Sequence, residues 1–287
     1  MDVYIVDKQQ KESRLNCLNP LRWAQVVRRD VGELLFRDRF VIGYQVVANL
    51  KVRYQQSFLG VIWSLLNPIL MLGVLAVVFS QIMNRRTVDM TFYLFSGLVP
   101  WQFFNGLIST SGKTLVGKAS ILTKIRINKL VFPVANLIDG LITLMLTVVA
   151  LLILLCLIFR MPLHPQLVLF PLAALVLVVF SLGLSLFLMV ATIYFRDLEH
   201  MMSVVLRGWY FFTPILYPID RITNPKILAA LNLNPMTHIL RLFQKCIYAG
   251  QWPTAMEWAI PSVIAVSMLV IGYITYKSRE DDLIFRL

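Results

Sequence analysis

The chain has 287 residues, of which 58% are apolar and 15% charged, and its mean hydropathy is +0.73. This composition excludes a soluble protein, whose surface must be largely polar, and it indicates a chain whose surface is largely in contact with lipid. The 27 Lys and Arg residues outnumber the 15 Asp and Glu residues and give a net charge of +12. Basic cytoplasmic loops of a membrane protein account for that excess without a nucleic-acid partner.

The first 57 residues form a polar and basic arm, and those before Pro20 match no pattern. Between residues 31 and 54, apolar side chains interleave with basic ones such as Arg37 and Arg39. This pattern predicts an amphipathic helix that lies in the membrane interface. A helix packed on a soluble domain is the alternative, but the chain offers no obvious soluble domain for it to pack on.

Six apolar stretches follow the arm, and each predicts a membrane-spanning helix, because about 20 residues cross a hydrocarbon layer of about 30 Å. They cover residues 58–83, 92–109, 130–159, 167–195, 204–219 and 255–276. Pro68 predicts a kink in the first span, and Gly97 and Pro100 predict a broken or irregular second span. The tight turn at 160–165 predicts that the third and fourth spans form a hairpin.

The stretch 220–254 is only partly apolar and predicts two short re-entrant helices between spans five and six. Such helices are allowed in a membrane where protein or a water-filled cavity covers the backbone. The sequence therefore predicts an all-α integral membrane protein with an arm (1–57), a six-span domain (58–276) and a tail (277–287).

Basic residues also predict the orientation of the chain. Counted in alternate segments, nineteen Lys and Arg lie on the face that carries the arm and the tail, and seven lie on the other face. The positive-inside rule therefore places both termini in the cytoplasm.

The string Ser111-Gly112-Lys113-Thr114 is the only candidate for nucleotide binding. A phosphate-binding P-loop needs a glycine five residues before the second glycine, and position 107 is Leu. The three histidines and the loop carboxylates show no spacing typical of a metal site or of acid–base catalysis. The sequence thus predicts no catalytic residue, no metal and no cofactor in this chain, and any ATP that powers it binds to another chain.

Two charged residues fall within predicted spans, namely Asp139 in the third and Arg207 in the fifth. An isolated Asp or Arg at the centre of a spanning helix costs about 2.5–3.5 kcal/mol, so each should face protein, water or a partner. We expect Asp139 and Arg207 to pair or to line a polar chamber. The alternative is that each reaches the headgroup region alone.

Several stretches of the chain closely resemble the Wzm-type permeases of polysaccharide-exporting ATP-binding-cassette transporters, which export O-antigen, capsule and teichoic acid. They are LKVRYQQSFLGVIWSLLNPILML (50–72), the run from YLFSGLVPWQFF to ANLID (93–139), IYFRDLEH (193–200) and LNPMTHILRLFQKCIYAG (233–250). The resemblance implies a homodimer of six-span subunits in the inner membrane. Each subunit would be bound on its cytoplasmic side by a separate ATPase subunit that holds ATP and Mg²⁺.

The resemblance also implies roles for particular residues. The surface that contacts the ATPase would include Arg37, Arg39, Ala119, Leu122, Lys124, Arg126, Lys129, Arg196 and Asp197. The substrate, a glycan on a polyprenyl pyrophosphate, would present its anionic head to Lys51, Arg53 and Arg207, near Asp139. The outer gate would include Asn234, Pro235 and Arg241.

Aromatic residues form three groups along the chain, which contain Trp63, then Trp101, Phe103 and Phe104, and then Trp209, Tyr210, Phe211 and Phe212. Belts at the two membrane interfaces are the ordinary explanation. The alternative is a channel wall on which sugar rings stack, as bases stack on aromatic side chains in proteins that bind single strands.

Three other functions compete with polysaccharide export. A drug or small-lipid exporter of the same family would have a narrower and less aromatic channel. An ion-coupled secondary transporter would show inverted repeats and several acidic residues at mid-membrane, whereas Asp139 stands alone. A membrane-embedded transferase would need clustered carboxylates or histidines in its loops.

Overall fold

A computed structural model describes residues 20–54, 62–122, 127–159 and 164–286, and throughout these ranges the regular structure is helical. The α-helices are α1 (Pro20–Gly32), α2 (Arg39–Tyr54), α3 (Ile62–Ile82), α4 (Thr87–Ser111), α5 (Lys113–Val116), α6 (Ala119–Leu122), α7 (Val131–Phe159), α8 (Phe170–Tyr194), α9 (Leu198–Phe211), α10 (Pro225–Leu233), α11 (Pro235–Phe243), α12 (Ala255–Arg279) and α13 (Leu283–Arg286). Two π-helical segments (Glu33–Arg37 and Gln244–Ala249) and two 3₁₀ segments (Pro165–Leu169 and Ile219–Arg221) lie between them. The all-α class is as predicted.

The described part of the arm, residues 20–54, is helical, and α2 has two unlike faces. Ile42 and Val46 are buried against Val131 and Ala135 at the start of α7. A stripe of exposed aromatic side chains, spaced four residues apart, runs from the preceding π-helical segment into α2. Its members are Phe36 (78%), Phe40 (72%) and Tyr44 (78%). An exposed aromatic stripe beside basic residues is typical of a helix at a membrane interface. The arm therefore packs on the membrane domain while it keeps an apolar surface free.

Within the described residues, three helical segments are long and apolar enough to cross a membrane: Val131–Leu154, Pro165–Tyr194 and Ala255–Arg279. They correspond to the predicted third, fourth and sixth spans. The predicted first span is represented by α3, whose apolar part is Leu66–Ile82. The protein is thus a multi-pass membrane protein, and the count of six spans stays a prediction.

Of the two forms predicted for the second span, broken or irregular, the broken one was wrong. Helix α4 runs for 25 residues without interruption through Gly97 and Pro100. A proline inside a helix costs about 3 kcal/mol. Much of α4 is buried against its neighbours, including Phe95 and Phe104, which are 0% exposed. This burial outweighs the local cost of the proline.

The region of the predicted fifth span and re-entrant segment consists of short helices. Helix α9 ends at Phe211 after 14 residues, which is about 21 Å and too short to cross the hydrocarbon layer alone. Helices α10 and α11 have nine residues each, and the side chains of Asn224 and Asn234 cap their N-termini. Two short helices are therefore present where they were predicted, and their depth in a bilayer stays a prediction.

The core depends on close contact between α8 and α12. A Cβ atom added to Gly272 of α12 would overlap the carbonyl oxygen of Gly183 on α8, and one added to Gly183 would overlap the backbone at Leu269. Small residues that let helix backbones approach are typical of membrane interiors, where packing replaces the hydrophobic effect between helices. This pair holds the last span against the fourth.

Candidate functional site

A cavity of ≈ 630 Å³ lies between the arm helix α2 and the two helices α4 and α7. Its walls include apolar side chains such as Val99 and Leu144, but many of the lining side chains are polar. The polar ones are Asn49, Arg53, Gln102, Ser109, Thr110, Lys118, Asn136, Asp139, Thr143 and Thr147. A polar chamber inside an apolar helical bundle is a candidate binding site.

Asp139 and Arg53 form an ion pair in this cavity. A guanidinium nitrogen of Arg53 lies 2.6 Å from Oδ2 of Asp139, and another donates to the hydroxyl of Thr143 over 3.1 Å. The side chain of Asp139 is 6% exposed, and its Oδ1 has no hydrogen-bond partner among the described residues. Asp139 therefore has a charged partner within the protein, and this partner, Arg53, belongs to the arm.

A ladder of amides runs beside this ion pair. Gln45 donates to Asn49 over 2.7 Å, Asn49 donates to Asn136 over 3.0 Å, and Asn136 donates to the hydroxyl of Thr114 over 3.0 Å. The ladder joins α2 to α7 and α7 to α5 and so fixes the wall of the cavity. These residues do not stand out in the sequence, because single amides carry no charge that would mark them within an apolar stretch.

Of the two arrangements expected for Asp139 and Arg207, a direct pair is absent, because Asp139 pairs with Arg53, and each of the two residues lines a cavity. Arg207 lies on α9 and lines a second cavity of ≈ 310 Å³ between α4 and α9, where no described residue forms an ion pair with it. Trp101, Tyr210 and Phe211 also line this second cavity. Ser109 of α4 borders both cavities, so the two are adjacent along that helix.

The predicted channel aromatics have different surroundings. Phe104 is 0% exposed and packs against Phe180, Trp101 and Trp209, with ring centroids 5.2–5.8 Å apart. Interior packing covers the ring of Phe104, which therefore lines neither cavity.

Among the other predicted channel aromatics, Trp101 and Phe103 are nearly buried, and each reaches the edge of one cavity. Phe211 and Phe212 are exposed, and Trp209 donates its indole N–H to Asn234 over 2.8 Å. The side chain of Trp63 lies outside the described residues.

The predicted ATPase surface is divided between exposed and buried residues. Arg37, Arg39, Arg196 and Asp197 are exposed, and Arg37 pairs with Glu33 at 3.1 Å. Ala119 is half-buried on α6. Lys124 and Arg126 lie outside the described residues.

Two residues of that predicted surface are not accessible. Leu122 is 6% exposed within a cluster that includes Leu115 and Met189. Lys129 is 7% exposed, and its ammonium group donates to the backbone carbonyl of Glu280. Burial lowers the pKa of Lys129, and the nearby Glu280 opposes that shift. Both side chains pack within the chain, so we expect them to support the predicted surface and not to contact the ATPase directly.

A cluster of charges at the end of α12 joins three parts of the chain. Asp30 of α1 accepts from the ammonium group of Lys277 over 2.9 Å and from the hydroxyl of Tyr273 over 2.8 Å. Lys277 also lies 2.6 Å from Glu280, whose carbonyl accepts from Lys129. This cluster does not stand out in the sequence, because Asp30 lies in a polar arm, where a buried carboxylate has no distinguishing sequence pattern.

The predicted outer gate is a structural joint in this conformation. Asn234 is 4% exposed, and besides capping α11 it donates to the carbonyl of Phe212 over 3.1 Å and to the hydroxyl of Thr213 over 3.0 Å. Pro235 and Arg241 follow on α11 and are half-buried. Asn234 therefore fixes α11 to the segment that follows α9.

The string that resembled a P-loop is part of a helical region. Lys113 pairs with Glu199 at 2.8 Å, and the hydroxyl of Thr114 donates to the carbonyl of Thr110 over 2.9 Å. A Cβ atom added to Gly112 would meet Thr192. Among the described residues, no group of three or more His, Cys, Asp or Glu side chains could hold a metal ion. The polar groups that line the first cavity can donate hydrogen bonds to a polar molecule and accept them from it.

Residues 42–248 match the protein family described as ABC-2 type transporter. The chain is 30% identical over 249 residues to the O-antigen export system permease protein RfbA of Myxococcus xanthus, with 86% of this chain and 95% of that protein covered. It is 29% identical over 192 residues to RfbA of Klebsiella pneumoniae, covering 67% and 74% of the two chains. It is also 26% identical over 244 residues to the polysialic acid transport protein KpsM of Escherichia coli, covering 82% and 92%.

Proposed function

Since this chain belongs to the ABC-2 type transporter family, we propose that it is the transmembrane permease subunit of an ATP-driven exporter that carries lipid-linked polysaccharide across the inner membrane. The observation that carries this proposal is the alignment of the chain with a relative named for O-antigen export, which covers 95% of that relative's length. A second relative, named for polysialic acid transport, aligns over 92% of its length. Two different glycans among the relatives support a polysaccharide and leave its sugar composition open.

We further propose that the working unit contains two copies of this chain. The six predicted helices are too few to enclose a channel as wide as a polymer, and a two-fold dimer, the commonest kind of homo-oligomer, would complete one. Apolar side chains are exposed on several helices, including Val74 and Val77 of α3 and Val204 and Val205 of α9. Such faces suit contact with lipid or with the second copy.

Energy would come from two copies of a cytoplasmic ATPase subunit, which would hold ATP and Mg²⁺. The exposed charges of Arg37, Arg39, Arg196 and Asp197 form the proposed contact surface. Lys124 and Arg126 belong to the same proposal on sequence grounds. This arrangement requires both termini to be cytoplasmic, in agreement with the distribution of Lys and Arg.

The anionic pyrophosphate head of the substrate would be met by exposed cations that have no carboxylate partner. Lys51 on α2 and Arg207 beside the second cavity meet this condition among the described residues. Arg53 is different, since it is already paired with Asp139. Helices α10 and α11, with Asn234, Pro235 and Arg241, would form the outer gate.

The proposed mechanism is a change of shape driven from the cytoplasmic side. Closure of the ATPase subunits on ATP would press on the contact surface and tilt the helices joined to it. The charge cluster of Asp30, Lys277 and Glu280 would pass this movement from the arm to α12. A path for the lipid-linked chain would then open between the protomers.

Deletion of the gene in its natural host tests the proposal. We expect the surface polysaccharide to disappear and lipid-linked glycan to accumulate inside the cell, and wild-type protein expressed from a plasmid to reverse both effects. Unchanged surface polysaccharide together with altered sensitivity to drugs or altered lipid export would contradict the proposal and favour the small-molecule exporter.

A further inference from the structure

We propose that the cavity between α2, α4 and α7 binds a sugar unit of the transported glycan and does not bind its phosphate head. The inference rests on the proposed function and assigns a ligand class to the cavity. It changes the role first expected for Arg53 and Asp139, which were placed beside the pyrophosphate.

The charges of the cavity disfavour an anion. Its lining contains two cations, Arg53 and Lys118, and one carboxylate, Asp139. Each terminal nitrogen of Arg53 already donates one hydrogen bond, one to Asp139 at 2.6 Å and the other to Thr143 at 3.1 Å, so the guanidinium fork is not free. A phosphate is best bound by a free guanidinium fork, and a nearby carboxylate repels it. One unpaired lysine therefore remains for a ligand that carries several negative charges.

The polar groups of the cavity that make no hydrogen bond to another described residue suit the hydroxyls of a sugar. The side chains of Gln102, Lys118 and Thr147 line the cavity and make no hydrogen bond to another described residue. An amide and a hydroxyl each both donate and accept, as every hydroxyl of a sugar does, and the lysine adds donors. The amides of Asn49 and Asn136 are held in place by their ladder and so present their remaining hydrogen-bonding capacity in a fixed position.

The apolar part of the lining suits the C–H face of a sugar ring. Phe103, Val99 and Leu107 lie beside the polar groups, and Gly106 and Gly140 contribute backbone without a side chain. The volume, ≈ 630 Å³, falls within the range of about 300–1,000 Å³ that is typical of small-molecule sites. The cavity therefore combines a floor for a ring with polar groups around it.

The second cavity provides room for the chain to continue. Ser109 borders both cavities, and beyond it Trp101 and Tyr210 line the second one together with Arg207. A glycan with one unit beside Gln102 could thus extend toward a site that contains aromatic rings and an unpaired cation. This placement is consistent with a polymer whose charged end lies nearer to Arg207.

Protection of an introduced cysteine from a maleimide tests the inference. The full-length chain, assembled with its ATPase partner in nanodiscs, would carry Gln102→Cys in a background in which Cys17, Cys156 and Cys246 are replaced by serine. The probes are the oligosaccharide released by mild acid from the host's lipid-linked glycan, and inorganic pyrophosphate. We expect the oligosaccharide to slow labelling at position 102 at least severalfold and pyrophosphate to leave the rate unchanged.

Gln81→Cys is the matched control, because Gln81 is an exposed glutamine on α3 that lines neither cavity. Protection of position 102 by pyrophosphate alone would overturn the inference in favour of a headgroup site. No protection by either probe would overturn it too, as would equal protection at both positions by the oligosaccharide.

Thr147→Val and Gln102→Ala provide a second measurement on the same complex. Each removes one hydrogen-bonding group, and we expect each to weaken oligosaccharide binding roughly three- to tenfold. If the wild-type complex exports the glycan and neither substitution changes binding, the inference is overturned while the proposed function stands. Wild-type complex that does not export the glycan would instead overturn the proposed function.

Discussion

The ammonium group of Lys277 lies 2.9 Å from a carboxylate oxygen of Asp30, and this ion pair joins the end of the last long helix to the N-terminal arm. Asp30 is 3% exposed although it belongs to a segment that is rich in charge. Its second partner, the hydroxyl of Tyr273, lies on the same helix as Lys277. The arm is therefore attached to the membrane domain at two places, through this ion pair and through the packing of α2 on α7.

Asp30→Asn should lower the stability of the protein. The substitution removes the carboxylate while Lys277 keeps Glu280, so we expect a loss of roughly 2–3 kcal/mol, somewhat less than for a fully isolated buried charge. Thermal unfolding of the purified protein in detergent measures this. Arg29→Gln is the control, because Arg29 is exposed and lies 3.9 Å from Asp30; a variant at Asp30 as stable as that control would contradict the structural role.

Gly272→Ala should disrupt the contact between α8 and α12. The added methyl group would overlap the carbonyl of Gly183, and backbone cannot move aside as a flexible side chain can. We expect little folded protein in the membrane fraction, measured by fluorescence-detected size-exclusion chromatography. Gly73→Ala in α3 has open space around it and should be tolerated; equal yields of the two variants would show that the close contact does not matter.

Arg53→Gln should be more harmful than the double substitution of Arg53→Gln with Asp139→Asn. The single change leaves a nearly buried carboxylate without its cation, whereas the double change removes both charges. We expect the second substitution to recover about 1–3 kcal/mol of stability, as measured in a double-mutant cycle. Additive effects of the two single changes would mean that the ion pair contributes nothing.

Arg196→Glu and Lys129→Met should each impair the protein, but for different reasons. Arg196 is exposed, so its charge reversal should reduce co-purification of the ATPase subunit without changing thermal stability. Lys129 is buried and donates to the carbonyl of Glu280, so its replacement should lower stability by about 1.5–3 kcal/mol. The two measurements made on both variants separate a contact residue from a supporting one. Reduced co-purification caused only by Lys129→Met, together with reduced stability caused only by Arg196→Glu, would contradict these two roles.

The long helices could be predicted because the thickness of a bilayer imposes their length. Helices α7, α8 and α12 each contain an apolar run that meets this requirement, and their positions follow from the sequence. Helix α9 does not meet it, because the turns that begin at Phe212 end the helix early. The continuity of α4 through Pro100 was missed because burial against neighbours decided it, and local preference did not.

The candidate site could be predicted only in part. Asp139 was identified because a carboxylate within an apolar stretch is costly, but its partner Arg53 is 86 residues away and pairs with it through the fold. The amides of Asn49 and Asn136 meet only when α2 packs on α7. A residue's type showed that it needed a partner, and the packing of helices determined which partner it found.

The most direct test of the account is transport in proteoliposomes that contain the purified chain, with or without its ATPase subunit, and a lipid-linked polysaccharide labelled in the glycan. We predict that glycan reaches the far side of the membrane only when both subunits and ATP are present. Translocation by this chain alone, or ATP hydrolysis by this chain alone, would contradict the central claim that it is a conduit driven by a separate ATPase.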